Sequence, residues 1–227
     1  MLFRSEAAPQ TRRLEVRATL LTDRSARFEV RDRSAGFHAA QKLEQFAGLT
    51  PEALRERIQV DSLQRHFPGS RLLSLDWKKP APDRDELSAS YNFDAPSVCM
   101  PTADNGLEMR RLPFPWSLRR RFSVFLPRTT DFWPGALPDT RLELVVVPPS
   151  GMRIEPAPEL RIETGFGRLV RTLVAGADGT GRLIIEKSLR PGVVPVDRWK
   201  EFTAFVALFD EYEALPVVLV PAERGER

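Results

Sequence analysis

Cys99 is the side chain in this sequence best suited to nucleophilic chemistry, because it is the only thiol. A cysteine nucleophile needs a base, usually histidine, to form the thiolate, and a third group to orient that base. His38 and His66 are the only histidines. Cys99 lies in the proline-flanked run Asp94–Pro101, which provides neither the helix N-terminus nor the glycine-lined turn that usually activates a cysteine. We therefore predict a structural cysteine, packed as a small hydrophobic side chain, and no catalytic residue.

The remaining polar motifs predict no metal or cofactor site. The two histidines have no third ligand at the spacing that a zinc site requires. Gly165-Phe166-Gly167 is too short for a phosphate-binding fingerprint, so we interpret it as a turn or bulge. Acidic residues at 210, 211 and 213 lie on the flank of a predicted helix, where carboxylates are mostly solvated. We expect each of these groups to be structural or solvent-exposed.

An arginine- and aromatic-rich segment between residues 110 and 133 could form a ligand or partner surface. Arginines beside aromatic rings can bind single-stranded nucleic acid or an anionic glycan. The alternative is a solvated arginine edge beside packed aromatic residues. The chain has 34 basic and 31 acidic side chains, and this near balance argues against a nucleic-acid partner. The candidate surface residues are Arg110, Arg111, Trp116, Arg119, Arg120, Arg121 and Trp133.

The first half of the chain is predicted to be an α+β lobe over residues 10–103 with an antiparallel sheet. Apolar and polar residues alternate in its strands, and the first two strands form a hairpin. Thr50 is a good helix N-cap, and Pro51 suits the first helical position. The predicted strands are 13–21, 27–31, 71–77 and 86–93, the last two joined by a proline-rich connection at 80–83, and the predicted helices are 36–46 and 50–67.

The second half is predicted to be a β-sandwich-like lobe over residues 141–222, after a proline- and aromatic-rich connection at 104–140. Asp178-Gly179 between two alternating runs is a strong hairpin signal. Aromatic residues recur every three to four positions from Val196 to Tyr212, which predicts an amphipathic helix that closes the lobe. The fold class predicted for the whole chain is α+β, predominantly antiparallel β.

Both ends of the chain are predicted to lie outside the two lobes. Residues 1–9 are predicted to be a disordered or artefactual start, because Leu2-Phe3-Arg4-Ser5 is what the end of a common sequencing adaptor reads as when translated. This points to a truncated gene. Residues 223–227 form a charged tail. No stretch of about 18 apolar residues is present, so we predict no membrane-spanning helix.

The second half also carries a series of motifs in a fixed order, namely Leu142–Pro148, Met152–Pro156, Gly165-Phe166-Gly167, Val196–Phe202 and Pro216–Val220. This order resembles the C-terminal region of bacterial transglutaminase-like proteins, which follows their catalytic core. The first half resembles the segment between that core and the C-terminal region. The resemblance covers residues from about 10 to 222, and it consists of packing patterns rather than catalytic signatures.

The resemblance implies an accessory region whose partner is the transglutaminase-like core of the same parent protein. No position here matches the cysteine, histidine or aspartate motifs of that core, so no catalytic residue is carried over. It also implies an exported, periplasmic location. The alternative is a stand-alone binding module for cell-envelope glycan or protein. A large exposed apolar patch would favour the missing partner domain, and a concave aromatic and basic groove would favour a ligand. A hydrolase would require His38 or His66 within hydrogen-bond reach of Cys99 or a serine.

Overall fold

The computed structural model is an α+β fold dominated by antiparallel strands and closed by a C-terminal helix, which confirms the predicted fold class. The predicted start at 1–9, connection at 80–83 and charged tail at 223–227 lie outside the described residues. The structure describes residues 10–78, 86–124, 126–135 and 137–222.

Short and long strands alternate with a few helices along the chain. The strands are β1 (Thr11–Leu20), β2 (Ala26–Ala35), β3 (Arg71–Lys78), β4 (Glu86–Ala95), β5 (Cys99–Pro101), β6 (Leu107–Met109), β7 (Asp139–Val147), β8 (Met152–Ile154), β9 (Ala157–Thr164), β10 (Gly167–Ala175), β11 (Gly181–Leu189) and β12 (Val217–Pro221). The helices are α1 (Phe37–Phe46), α2 (Pro51–Arg57), a π-helix (Ile58–Gln64), α3 (Leu118–Phe122), a 3₁₀ turn (Val196–Arg198) and α4 (Trp199–Glu213).

One eight-stranded sheet runs through both halves of the chain, in the order β3-β4-β2-β1-β7-β11-β10-β9. Strands β1 and β7 pair in parallel, with Thr11 opposite Asp139 and Thr19 opposite Val147. The other neighbours in this sheet are antiparallel. The β1–β7 pairing therefore places strands from both predicted lobes in the same sheet. A second, four-stranded sheet with the order β5-β6-β12-β8 also combines strands from the two halves.

Burial in the large sheet follows the predicted two-residue period. In β1 the even-numbered residues from 14 to 20 are buried, and the odd-numbered residues point to the opposite, charged face. Both predicted hairpins are confirmed, since β1 pairs with β2 and β10 with β11 in antiparallel register. At the second hairpin Gly179 has a φ of 80°, which suits glycine. The Thr180 N–H and hydroxyl donate to Asp178 at 3.1 and 2.7 Å.

The predicted helix start at Thr50 is confirmed, because its hydroxyl accepts the backbone N–H of Ala53 at 3.2 Å and Pro51 opens α2. The helix then widens into the π-helix, which the sequence did not predict. From this π-helix the Gln59 amide donates to the Ser70 carbonyl at 2.7 Å and accepts the Leu72 N–H at 2.6 Å. The π-helix therefore fixes the beginning of β3.

Replacing the cap should have a modest, measurable effect. We expect Thr50→Ala to lower the free energy of unfolding by about 1 kcal/mol, because the Ala53 N–H loses its acceptor. The measurement is urea denaturation followed by circular dichroism. Thr203→Ala is the matched control, since the Thr203 hydroxyl only donates back to the Lys200 carbonyl inside α4 and its removal should cost nothing. Equal losses in the two variants would contradict a capping role.

Helix α4 presents the predicted aromatic stripe to the core. Trp199, Phe202, Phe205, Val206 and Phe209 are buried, and each buried side chain contributes roughly 1.5–3 kcal/mol. The Phe202 ring lies 5.7 Å from the Phe122 ring, 5.8 Å from that of Phe132 and 5.5 Å from that of Phe166. The aromatic-rich connection therefore packs on α4. Within the described residues, no helix is both long and apolar enough to cross a membrane.

Candidate functional site

In the predicted ligand surface the arginines and Trp133 are exposed, whereas Trp116 is packed. Arg110 is exposed and pairs with Glu108 at 2.7 Å, and Arg111 is exposed beside it. Arg119, Arg120 and Arg121 lie together on the five-residue helix α3, with their side chains exposed. Trp133 is 67% exposed, but it lies on a separate segment beyond α3. The arginines of α3 are therefore brought together, and Trp133 is not part of their cluster.

Trp116 is packed rather than presented to solvent. Its ring stacks on Phe209 of α4, with centroids 5.6 Å apart and an interplanar angle of 10°. The Lys187 ammonium lies 5.0 Å from the centre of the same ring. The Trp116 backbone N–H donates to the Glu213 carboxylate at 2.9 Å. Trp116 therefore links the connection to α4 and to β11.

Two carboxylates of α4 hold the segment before and at the start of α3. Asp210 accepts the backbone N–H groups of Leu118 at 2.7 Å and of Arg119 at 2.9 Å. Glu213 is only 3% exposed and forms an ion pair with the buried Lys187. The prediction that these acidic residues are solvated is wrong for Glu213, because a buried cation and a backbone N–H stabilise its carboxylate in the interior.

Cys99 is buried, as predicted, at 3% exposure. Burial raises the pKa of its thiol to about 11, so the thiolate is disfavoured. The buried Nε2 atom of His38 has no hydrogen-bond partner among the described residues. Burial, followed by the charges of Lys42 and Arg12, lowers the pKa of His38 to about 4. Within the described ranges, no histidine is hydrogen-bonded to Cys99 or to a serine, and no group of three His, Cys, Asp or Glu side chains could hold a metal ion.

The most chemically distinctive site is a cluster of buried charges that sequence reasoning missed. Asp32 of β2 accepts two hydrogen bonds from Arg12 of β1, Nε to Oδ1 at 3.2 Å and Nη2 to Oδ2 at 2.6 Å. Lys42 of α1 reaches the same carboxylate, with Nζ 3.0 Å from Oδ2. Its ammonium also lies 3.0 Å from the Ser34 hydroxyl. Two cations therefore share one buried carboxylate.

These charges line a small cavity, which we call the Lys42 pocket. Its volume is about 90 Å³. Phe46 and Trp77 form one aromatic wall, with ring centroids 4.9 Å apart at right angles. The Arg12 guanidinium lies over the ring of Phe114, 5.4 Å from its centre, and Phe114 has a φ of 57°. The residues that line the pocket are Arg12, Asp32, Lys42, Phe46, Ile58, Ser62, Trp77, Leu87, Ala89, Tyr91 and Phe114.

The protonation states of the Lys42 pocket follow from burial and from the charge cluster. Burial opposes ionisation of Asp32, but the charges and hydrogen bonds of Arg12 and Lys42 outweigh it and lower the pKa of the carboxyl. Burial and the charge of Arg12 lower the pKa of Lys42 to about 8, with Asp32 acting in the opposite direction. Burial raises the pKa of Tyr91, so its hydroxyl stays neutral. At neutral pH the pocket therefore holds two positive charges and one negative charge.

A signal for this cluster was present in the strand pattern. Arg12 continues the even-numbered core face of β1, and Asp32 continues the core face of β2 that contains Phe28 and Val30. Polar residues at core-facing positions are the exception in a half-buried sheet, and buried polar groups need partners. The α1 residue Lys42 carried no such signal, because helical spacing alone does not show which partner a lysine meets.

Comparison with known proteins gives only distant structural similarity. No family model and no curated protein matches the chain. A zinc metallopeptidase of the M1 class from Deinococcus radiodurans aligns with a TM-score of 0.32 and 10% identity, over 94% of this chain and 42% of the peptidase. A candidate protease from Parabacteroides distasonis aligns with a TM-score of 0.36 and 6% identity, over 94% of this chain and 99% of that protein. This chain thus spans less than half the length of the Deinococcus enzyme that it matches.

Proposed function

We propose that this chain is a non-catalytic accessory region of a transglutaminase-like protein, and that it packs on the catalytic core of that protein. The observation that carries the proposal is an exposed apolar pair, Trp133 and Val193, which we call the Trp133 patch. In this proposal the catalytic residues belong to the core. The buried Cys99 thiol, with its raised pKa, supports that assignment. The resemblance to exported proteins further supports a periplasmic location for the parent protein.

The backbone geometry explains why the Trp133 patch faces outward. Phe132 and Val194 form an antiparallel bridge with two hydrogen bonds, at 2.9 and 2.7 Å, and both side chains pack against the core. The next pair along the two segments is Trp133 and Val193, whose side chains point the other way. They are 67% and 59% exposed.

This patch has the properties of an interface centre. An exposed tryptophan beside an aliphatic residue is the type of side chain that dominates binding energy at protein interfaces. The bridge between Phe132 and Val194 fixes the backbone next to Trp133, so little conformational entropy is lost on docking. A core on the same polypeptide would be present at a high effective concentration, which strengthens docking beyond the affinity of the separate parts.

The alternative, a stand-alone binding module for cell-envelope glycan or protein, would use the same exposed tryptophan together with the arginines. Stacking on a glycan needs aromatic faces open to solvent. Of the two tryptophans in the predicted surface, Trp133 is exposed and Trp116 is stacked on Phe209. The exposed Val193 beside Trp133 favours a protein partner over a glycan.

Docking can be tested by titrating this chain with a purified transglutaminase-like core in a calorimeter. We expect a complex, and we expect Trp133→Ala to weaken it by at least about 30-fold, because hot-spot residues contribute about 2 kcal/mol or more. Phe37→Ala is the matched control, since Phe37 is also an aromatic residue and is 65% exposed. It should leave the affinity within about twofold. Absence of a complex, or an equal loss in both variants, would overturn the proposal, and binding of peptidoglycan fragments instead would favour the alternative.

A further inference from the structure

The charge balance of the Lys42 pocket is incomplete within the described part of the chain. Asp32 neutralises one of the two cations that contact it, and buried charges in proteins are normally paired. The side chains of Arg12 and Lys42 are 18% and 19% exposed, against 8% for Asp32. The excess positive charge therefore lies on Arg12 and Lys42, which are partly exposed to solvent.

Hydrogen-bond donors in the pocket are also left over. The Lys42 ammonium uses two of its donors, on Asp32 and Ser34, and carries a third. The Arg12 guanidinium uses two of its five N–H groups on Asp32. Tyr91 is 6% exposed, and its hydroxyl forms no hydrogen bond to any described residue. The Tyr91 hydroxyl lines the pocket and can donate a further hydrogen bond, so the pocket offers several donors to an acceptor.

The space beside these donors is small and largely apolar. A cavity of about 90 Å³ is several times the roughly 10–15 Å³ that a single water requires. Six of its eleven lining residues are apolar, namely Phe46, Ile58, Trp77, Leu87, Ala89 and Phe114. Ile58 and Ser62 come from the π-helix, a feature that is frequent at functional sites because it displaces side chains from regular helical positions.

We propose that the Lys42 pocket binds a small apolar monocarboxylate, such as an aliphatic acid of two to four carbons. The carboxylate accepts hydrogen bonds from the ammonium of Lys42, the guanidinium of Arg12 and the hydroxyl of Tyr91, and the hydrocarbon part lies against the aromatic wall. One negative charge on the ligand balances the one excess positive charge. This site is separate from the Trp133 patch, so the inference does not depend on the proposed docking role.

A phosphate or sulfate ion fits the pocket less well. A dianion would exceed the excess charge by one, and a tetrahedral ion would place a polar oxygen against rings such as Phe46 and Trp77. A second carboxylate on the ligand would likewise remain unpaired. The apolar wall thus selects for a ligand with one charged end.

Calorimetric titration of the chain with butyrate tests the inference, with butyramide as the neutral isostere and inorganic phosphate as the competing anion. We expect butyrate to bind with a dissociation constant of about 1 mM or lower, and both competitors to bind at least about tenfold more weakly. Failure of butyrate to bind, or equal or tighter binding of butyramide or phosphate, would overturn the inference.

Two variants test whether butyrate binds in the Lys42 pocket. Lys42→Met removes the ammonium but leaves the Arg12–Asp32 pair intact, and it should weaken butyrate binding at least about tenfold. Ser62→Leu fills the cavity from the π-helix and should abolish binding even if Lys42→Met does not fold. The exposed Lys200 on α4 supplies the control Lys200→Met, which should bind as the unmodified chain does. Wild-type affinity in a folded Lys42→Met or Ser62→Leu variant would refute this site.

Discussion

Lys187→Met is expected to lower the free energy of unfolding by about 3–5 kcal/mol, because it leaves the Glu213 carboxylate buried without its cation. The two side chains are 1% and 4% exposed. Burial lowers the pKa of Lys187 while the charge of Glu213 opposes this shift. The Lys187 ammonium also donates to the Phe114 carbonyl at 3.4 Å. Removing it therefore affects β11, α4 and the connection together.

The measurement is guanidinium chloride denaturation of the wild-type and variant chains. Lys200→Met provides the matched control, because Lys200 is exposed on α4 and its removal should change stability by less than about 0.5 kcal/mol. A double variant, Lys187→Met with Glu213→Leu, should recover part of the loss, since no unpaired charge remains. Recovery is incomplete because the Trp116 N–H loses its acceptor. A loss below about 1 kcal/mol for Lys187→Met would contradict a stabilising role for the pair.

The sequence predicted the local elements well where periodicity and turn chemistry agree. Alternation in β1 and the Asp178-Gly179 turn depend on residues close together in the chain, so they are visible without the tertiary structure. The aromatic stripe of α4 was visible for the same reason. The parallel pairing of β1 with β7 joins residues more than a hundred positions apart, and no local pattern specifies such a partner.

The candidate sites show where local reasoning ends. Trp116 and Trp133 both lie in the aromatic-rich connection, yet one stacks on Phe209 and the other faces solvent. The difference depends on where α4 lies, which is a tertiary property. Glu213 was similarly indistinguishable from its exposed neighbour Glu211 until the position of Lys187 was known. Arg12 and Asp32 both occupy core-facing positions in their strands, and this was the one sign of a buried charge cluster in the sequence pattern.

That cluster positions the first helix of the fold on the sheet. Asp32 joins β1 through Arg12 and α1 through Lys42, so its carboxylate links a central strand to the helix that covers it. The Ser34 hydroxyl also donates to Oδ1 of this carboxylate at 3.4 Å. Arg12 and Lys42 are only 18% and 19% exposed. When asparagine replaces Asp32, both cations contact a neutral side chain. The stability lost on this substitution is electrostatic, because asparagine has nearly the same shape as aspartate.

We expect Asp32→Asn to lower the free energy of unfolding by about 3 kcal/mol at pH 7. The folded-state pKa of Asp32 lies below its unfolded value, so its contribution is fully present above an unfolded pKa of about 3.9. It is lost as the pH falls through the folded pKa. The difference between wild type and variant should therefore shrink as the pH falls below about 4. Urea denaturation between pH 2 and pH 7 measures it. A difference that stays constant down to pH 2 would show that the Asp32 carboxylate does not carry this stability.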